Sequence, residues 1–221
     1  MLESTRLPRR GFLGRLAAAA AALAAGPSLG RAEHALTPHA EDLDKWLDDL
    51  KGKHRQIYDV LTPPKGTEGT AFARNFLSAN VDAYGLSDAD VNAVVSFRHE
   101  AFAFGLNDAM WEKYKLGELL KFNDPRTSAP AVRNTLLGTA TDNNRITGTL
   151  AGLHAHGSVF PVCGMAMRAY AGSAARAANS DAEAVRTEFR ANLIPGAVEV
   201  AAGVIALNRA QERGFSYVYV G

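Results

Sequence analysis

Cys163 is the only cysteine in the chain, so neither an intramolecular disulfide nor a multi-cysteine metal site is open to it. It closes a short apolar run, residues 158–163, and Gly164 leads straight into an alanine-rich segment. If that run is a strand and the next segment a helix, the thiol sits at a strand's carboxyl end. In open α/β sheets that is where ligands bind. A helix N-terminus also carries positive partial charge, which favours a thiolate. A thiolate attacks disulfides and persulfides, or carries a sulfur atom itself. The competing reading is an inert cysteine packed as a small apolar residue.

His99 follows a second apolar run, residues 91–97, and is flanked by Arg98 and Glu100. The same carboxyl-end rule brings it toward Cys163, where an imidazolium would favour the thiolate further. The bland alternative is a hydrogen-bonded structural histidine. His154 and His156 stand two apart, and with a third ligand they could hold a metal. No third ligand is evident, so they read as loop residues and no metal is assigned. Met165 and Met167 read as core filler rather than soft-metal ligands. No Gly-x-Gly-x-x-Gly follows the first strand, and P-loop, His-Glu-x-x-His, Gly-x-Ser-x-Gly and Cys-x-x-Cys-His motifs are all lacking. Common dehydrogenase, kinase, hydrolase and haem readings therefore have no support, and the cofactor is unknown.

The elements that must position these groups follow from periodicity. Leu43, Trp46, Leu47 and Leu50 mark one helix face after Thr37-Pro38, ended by Gly52. Residues 56–61 read as a strand, followed by the turn Pro63-Pro64-Lys65-Gly66. Phe72, Phe76, Ala79 and Ala83 mark a helix stopped at Gly85. Residues 91–97 read as a buried strand. A helix over 107–116 buries Met110, Trp111 and Tyr114. Residues 121–152 lack a stable period and read as a long loop, either a lid or binding segment or a surface excursion. Residues 158–163 form a strand interrupted by Pro161, and 165–178 a helix. Ser180-Asp181-Ala182-Glu183 has the form of a capping box for a helix to Asn192, with Val185, Phe189 and Leu193 inward. Pro195-Gly196 turns into strand 197–201, Gly203 opens helix 204–212, and Gly214 precedes the last strand, 215–220. This alternation predicts an α/β domain with a mainly parallel sheet covered by helices on both faces.

The N-terminus reads as an address. Arg9-Arg10-Gly11-Phe12-Leu13 precedes a ten-residue, alanine-rich apolar run at 16–25, too short to span a bilayer. Small residues at Gly30 and Ala32 flank Arg31 and suit a signal peptidase. The pattern predicts a twin-arginine signal over 1–32 with cleavage after Ala32, the alternative being a Sec signal that contains Arg-Arg, and hence a periplasmic or otherwise exported protein with no membrane span once the signal is removed. The expected divisions are this signal, a helical extension over 33–53 and one domain over 54–221. Of 221 residues, 47% are apolar and 21% charged, as in ordinary globular proteins. Residues 1–32 hold five arginines and one acid, which leaves 19 basic and 22 acidic residues beyond. A slightly acidic body predicts no nucleic-acid partner.

Four segments together resemble the DsrE/DsrF-like family of YchN-like fold: Gly157-Ser-Val-Phe-Pro-Val-Cys163-Gly164, Leu193-Ile-Pro-Gly196, Val198-Glu-Val-Ala-Ala-Gly203-Val and Gln211-Glu-Arg-Gly214-Phe-Ser-Tyr217. The resemblance is specific over 157–221 and follows strand order over 54–221. It implies a five-stranded parallel sheet and association into trimers or a multiple of them. It also implies a persulfide held on the cysteine matched by Cys163, with a sulfur donor or acceptor protein as partner. Relay members are cytoplasmic, so a twin-arginine signal marks an exported subgroup. The leading expectation is sulfur or thiol handling through Cys163, with His99 beside it. The alternatives are a non-catalytic binding or assembly module using the 121–152 loop, and a metal- or cofactor-dependent oxidoreductase.

Overall fold

The computed structural model describes residues 43–139 and 146–221. The predicted signal, the Thr37-Pro38 helix start and part of the predicted loop, residues 140–145, lie outside the described residues. Five strands form one sheet: β1 His54–Val60, β2 Val91–Phe97, β3 Phe160–Cys163, β4 Ala197–Val200 and β5 Ser216–Val220. Their order is β4-β3-β2-β1-β5, and every pairing is parallel. The predicted α/β class, with helices on both faces, is the observed one.

Strand alternation separates the two layers. Tyr58, Val60, Val95 and Phe97 pack on Ala73 and Leu77 of helix α2, Gly66–Tyr84, and on helices α6, Gly164–Ala178, and α7, Ala182–Ala191. Ile57 and Val94 point the other way. They pack with Leu47 of α1, Lys45–Asp48, with Leu50, and with Leu207 and Ala210 of α8, Gly203–Glu212. The topology explains the split. Strands β1 to β4 are laid down in one direction, whereas the chain doubles back from β4 to β5. With right-handed crossovers, reversing the direction of travel puts the connecting helix on the opposite face. β2, buried along its whole length, is therefore covered on both sides.

Several expectations need correction. Among the described residues, the helix predicted around Leu43 to Leu50 is the single turn Lys45–Asp48; Leu47 and Leu50 are buried, but Leu43 is half exposed. Helix α2 does stop at Gly85, in a left-handed conformation, yet it buries Gly69, Thr70, Ala73 and Leu77 rather than the Phe72 face. Phe72, Ala79 and Ala83 are exposed. The reason is close approach: a Cβ at Gly69 would lie 2.4 Å from Val60 Cγ2, so small residues rather than phenylalanine meet the sheet. The segment predicted at 107–116 buries Met110, Trp111 and Tyr114 but divides into α3, Asp108–Lys113, and α4, Leu116–Leu119. Lys115, at φ 47°, breaks the run. The cap of α7 is Asp181, whose Oδ1 accepts the Glu183 and Ala184 amides at 3.0 and 2.8 Å. Glu183 therefore falls too early in the helix to complete a capping box with Ser180.

The predicted loop at 121–152 ends in helix α5, Leu150–Ala155; before it a few residues pack on the core, while residues 125–130 are exposed. Phe122, Ala131 and Leu136 are buried. Asn134 donates to the Phe104 and Leu106 carbonyls, both at 2.9 Å, and accepts the Leu136 amide. Among the described residues, no helix is long and apolar enough to cross a membrane.

Candidate functional site

Cys163 is the last residue of β3 and the N-cap of α6. Its Sγ accepts the Ala166 amide at 3.4 Å. Side chains in this position take up one of the amides that a helix start leaves unpaired. The residue is 8% exposed, yet it belongs to neither packed apolar cluster. It instead lies on the lining of a cleft of about 550 Å³, together with Arg98, His99, Met165, Tyr170 and Val204. That volume suits a small ligand or a single side chain of a partner. Helices α6 and α8 both begin at the cleft, and its lining contains no carboxylate.

Two glycines allow the strand ends to close. A Cβ at Gly203 would stand 2.8 Å from Arg98 Cβ and 3.4 Å from Cys163 Cβ. A Cβ at Gly164 would stand 2.8 Å from the Val200 carbonyl oxygen. Next to Gly164, Glu199 of β4 is gripped by Arg190 at 2.5 Å and Arg186 at 3.3 Å, both from α7. Burial alone would raise the Glu199 carboxyl, but the Arg190 hydrogen bond and charge, reinforced by Arg186, hold it below the ordinary glutamate range.

The β2 exit is fixed from beneath. Arg98 donates from Nε to Asp59 Oδ1 at 2.6 Å and from Nη2 to Oδ2 at 2.9 Å. Asp59, in β1, is fully buried, and the Tyr217 hydroxyl donates to its Oδ2 at 2.8 Å. A two-pronged guanidinium–carboxylate pair fixes orientation as well as charge. The Asp59 hydrogen bond holds Arg98 still more firmly protonated. The Tyr217 phenol is pushed up to about 12, first by burial and then by its hydrogen bond to Asp59. The chain then passes into His99 at φ 50°, the left-handed region that non-glycine residues seldom enter. The Arg98 and Ala101 amides hold this bend by bonding the Val60 and Leu61 carbonyls. Such backbone strain clusters at functional sites.

Both residues proposed from sequence, Cys163 and His99, thus border one cleft, although no hydrogen bond joins them. Met165 is exposed on its rim, whereas Met167 is core. His154 and His156 lie at the opposite end of β3. His154 Nδ1 is 3.3 Å from the Ser158 carbonyl, and His156 Nδ1 is 2.9 Å from Asp88 Oδ2. Among the described residues, no three His, Cys, Asp or Glu side chains are grouped to hold a metal ion. No described residue of 121–152 lines the cleft.

Sequence reasoning missed Asp59, Tyr217 and the contact role of Gly203. The signal for Asp59 was a lone acid inside an apolar strand, one strand away from an arginine at the matching carboxyl end. Tyr217 had no comparable signal, because the pairing of β5 with β1 is a long-range fact. Compared with known protein families, curated proteins and solved structures, the chain matches none of them significantly.

Proposed function

We propose that the chain is an exported sulfur-handling protein of the DsrE/DsrF-like kind, in which Cys163 carries sulfur as a persulfide. The observation that supports this best is the position of the Cys163 sulfur, on the lining of a ligand-sized cleft and bonded by a first-turn amide. That bond strengthens as negative charge gathers on sulfur. The Cys163 thiolate attacks the outer sulfur of a donor persulfide, R–S–SH. The donor S–S bond breaks, a new S–S bond forms at Cys163, and R–S⁻ leaves. The sulfane sulfur moves at constant oxidation level, so no external oxidant is required. Delivery to an acceptor thiolate is the same step in reverse. His99 borders the same cleft.

The twin-arginine pattern would direct the protein to the periplasm. The family resemblance adds a trimer or a multiple of it, with a thiol protein as sulfur donor or acceptor. The test is intact mass after exposure of the folded protein to inorganic polysulfide. The expected result is a gain of one sulfur that a reductant removes and that Cys163→Ser abolishes. A second reading, a non-catalytic binding module of the same fold, draws on the low exposure of Cys163, 8%. It expects no sulfur gain.

A further inference from the structure

The two edges of the sheet are built differently. At one edge, β4 carries Glu199, tied down by two arginines of α7. At the other edge, β5 pairs only with β1, and its outer backbone edge meets no further strand among the described residues. Ser216–Val220 contains no charged residue, and Tyr217 and Tyr219 are 40% and 58% exposed. Open edges are normally guarded by charge, proline, a bulge or a cover, because unpaired backbone groups recruit other strands. Nothing in β5 itself performs that role.

The sequence of β5 also specifies an occupant. Tyr217-Val218-Tyr219 reads the same in both directions about Val218. In an antiparallel pair centred there, Tyr217 of each copy lies opposite Tyr219 of the other, and Val218 lies opposite itself. Both tyrosines share the face of Asp59 and Phe215, so the four rings form one cross-strand cluster; aromatic cross-strand pairs are among the favourable ones. Tyr217 is already ordered by its hydrogen bond to Asp59 at 2.8 Å. Whichever alternate residues turn their N–H and C=O groups outward, the pairing is symmetric, as a two-fold interface demands. A strand of unrelated sequence would not gain this matched register.

We infer that β5 is a homotypic interface, through which two copies of this chain join their sheets antiparallel about a two-fold axis at Val218. The contact is independent of the Cys163 chemistry and compatible with threefold association elsewhere on the surface.

The register makes a sharp test by disulfide trapping in a Cys163→Ser background. Opposed Cα atoms of an antiparallel pair stand about 4.5–5.5 Å apart, within the range a disulfide spans. Val218→Cys is therefore expected to cross-link two chains on mild oxidation. Ser216→Cys is not, because the two copies of that residue are four positions out of register. Sedimentation of the purified protein should give an even number of chains, and Tyr219→Lys should weaken the association at least about tenfold with unchanged circular dichroism. A monomeric or odd-numbered protein would overturn the inference. So would cross-linking that is equal at 216 and 218, or absent at 218 while the circular dichroism is native.

Discussion

The carboxyl ends of β2 and β3 hold His99 and Cys163; the amino ends of β2 and β3 are flanked by His156 and His154. In sequence these two sets looked similar: polar, reactive side chains beside short apolar runs. In three dimensions they diverge. At the amino ends the His156 ring meets Asp88 and the His154 ring meets the Ser158 carbonyl, so both serve turns that feed the strands. At the carboxyl ends both strand exits line one cleft, two helices start there, and an ion pair with buried Asp59 holds Arg98 in the lining. Location relative to strand direction, more than residue type, separates reactive candidates from structural ones.

The severest way to break this contrast is to disrupt the strand common to both ends. Val95, fully buried in β2, faces the α2 layer. Val95→Asp places an unpaired charge there, at a cost comparable to the whole stability margin of about 5–15 kcal/mol, and should unfold both ends together. Circular dichroism checks it; a folded variant would show that the core is elsewhere.

Next in size is the contrast itself. Asp59→Ala leaves the Arg98 guanidinium partly buried without its counter-charge, which typically costs about 3–5 kcal/mol. His156→Ala removes a contact to a half-exposed Asp88, worth about 0–1 kcal/mol. Urea midpoints of the two variants should differ clearly, with Asp59→Ala the lower. Equal midpoints would erase the distinction between the ends.

Gly203→Ala sharpens the comparison locally. The new methyl meets Arg98 Cβ at 2.8 Å, and overpacking of this kind costs about 1–3 kcal/mol. The loss should appear in a thermal melt and should shrink when Arg98 is replaced by Gly, which removes the Cβ that the new methyl meets. A loss that does not shrink would place the strain elsewhere.

The smallest expected effect is one of pH. The folded Glu199 carboxyl is held low, so its stabilisation is complete above the ordinary glutamate range, near about pH 4.3. It is lost as pH falls through the lower folded value. Glu199→Gln should therefore flatten the acid limb of a stability–pH curve and leave its shape near neutrality unchanged. An acid limb as steep as that of the parent protein would assign the dependence to other carboxylates.

Much of this architecture was legible in the sequence. Val91–Phe97 declared itself as a two-sided buried strand, and strand–helix alternation predicted the parallel sheet. The carboxyl-end rule places His99 and Cys163 on one side of the sheet, where both line the cleft. What stayed hidden depended on close or distant contacts. The sheet-facing side of α2 is set by Gly69 against Val60, which no hydrophobic periodicity reveals. The cover built from Phe122, Ala131 and Asn134 has no period because its order comes from side-chain bonds to the Phe104 and Leu106 carbonyls. Asp59 and Tyr217 are 158 positions apart, and they meet only because the last strand returns to β1.

The central claim, that Cys163 is a reachable nucleophile rather than a core residue, is tested most directly by alkylation of the folded protein. Iodoacetamide labelling at neutral pH, followed by intact mass with and without denaturant, separates the two cases. The account predicts one label on the folded protein, none on Cys163→Ser, and slower labelling in His99→Ala. Labelling that appears only after denaturation would contradict it and would leave the same fold serving as a binding module.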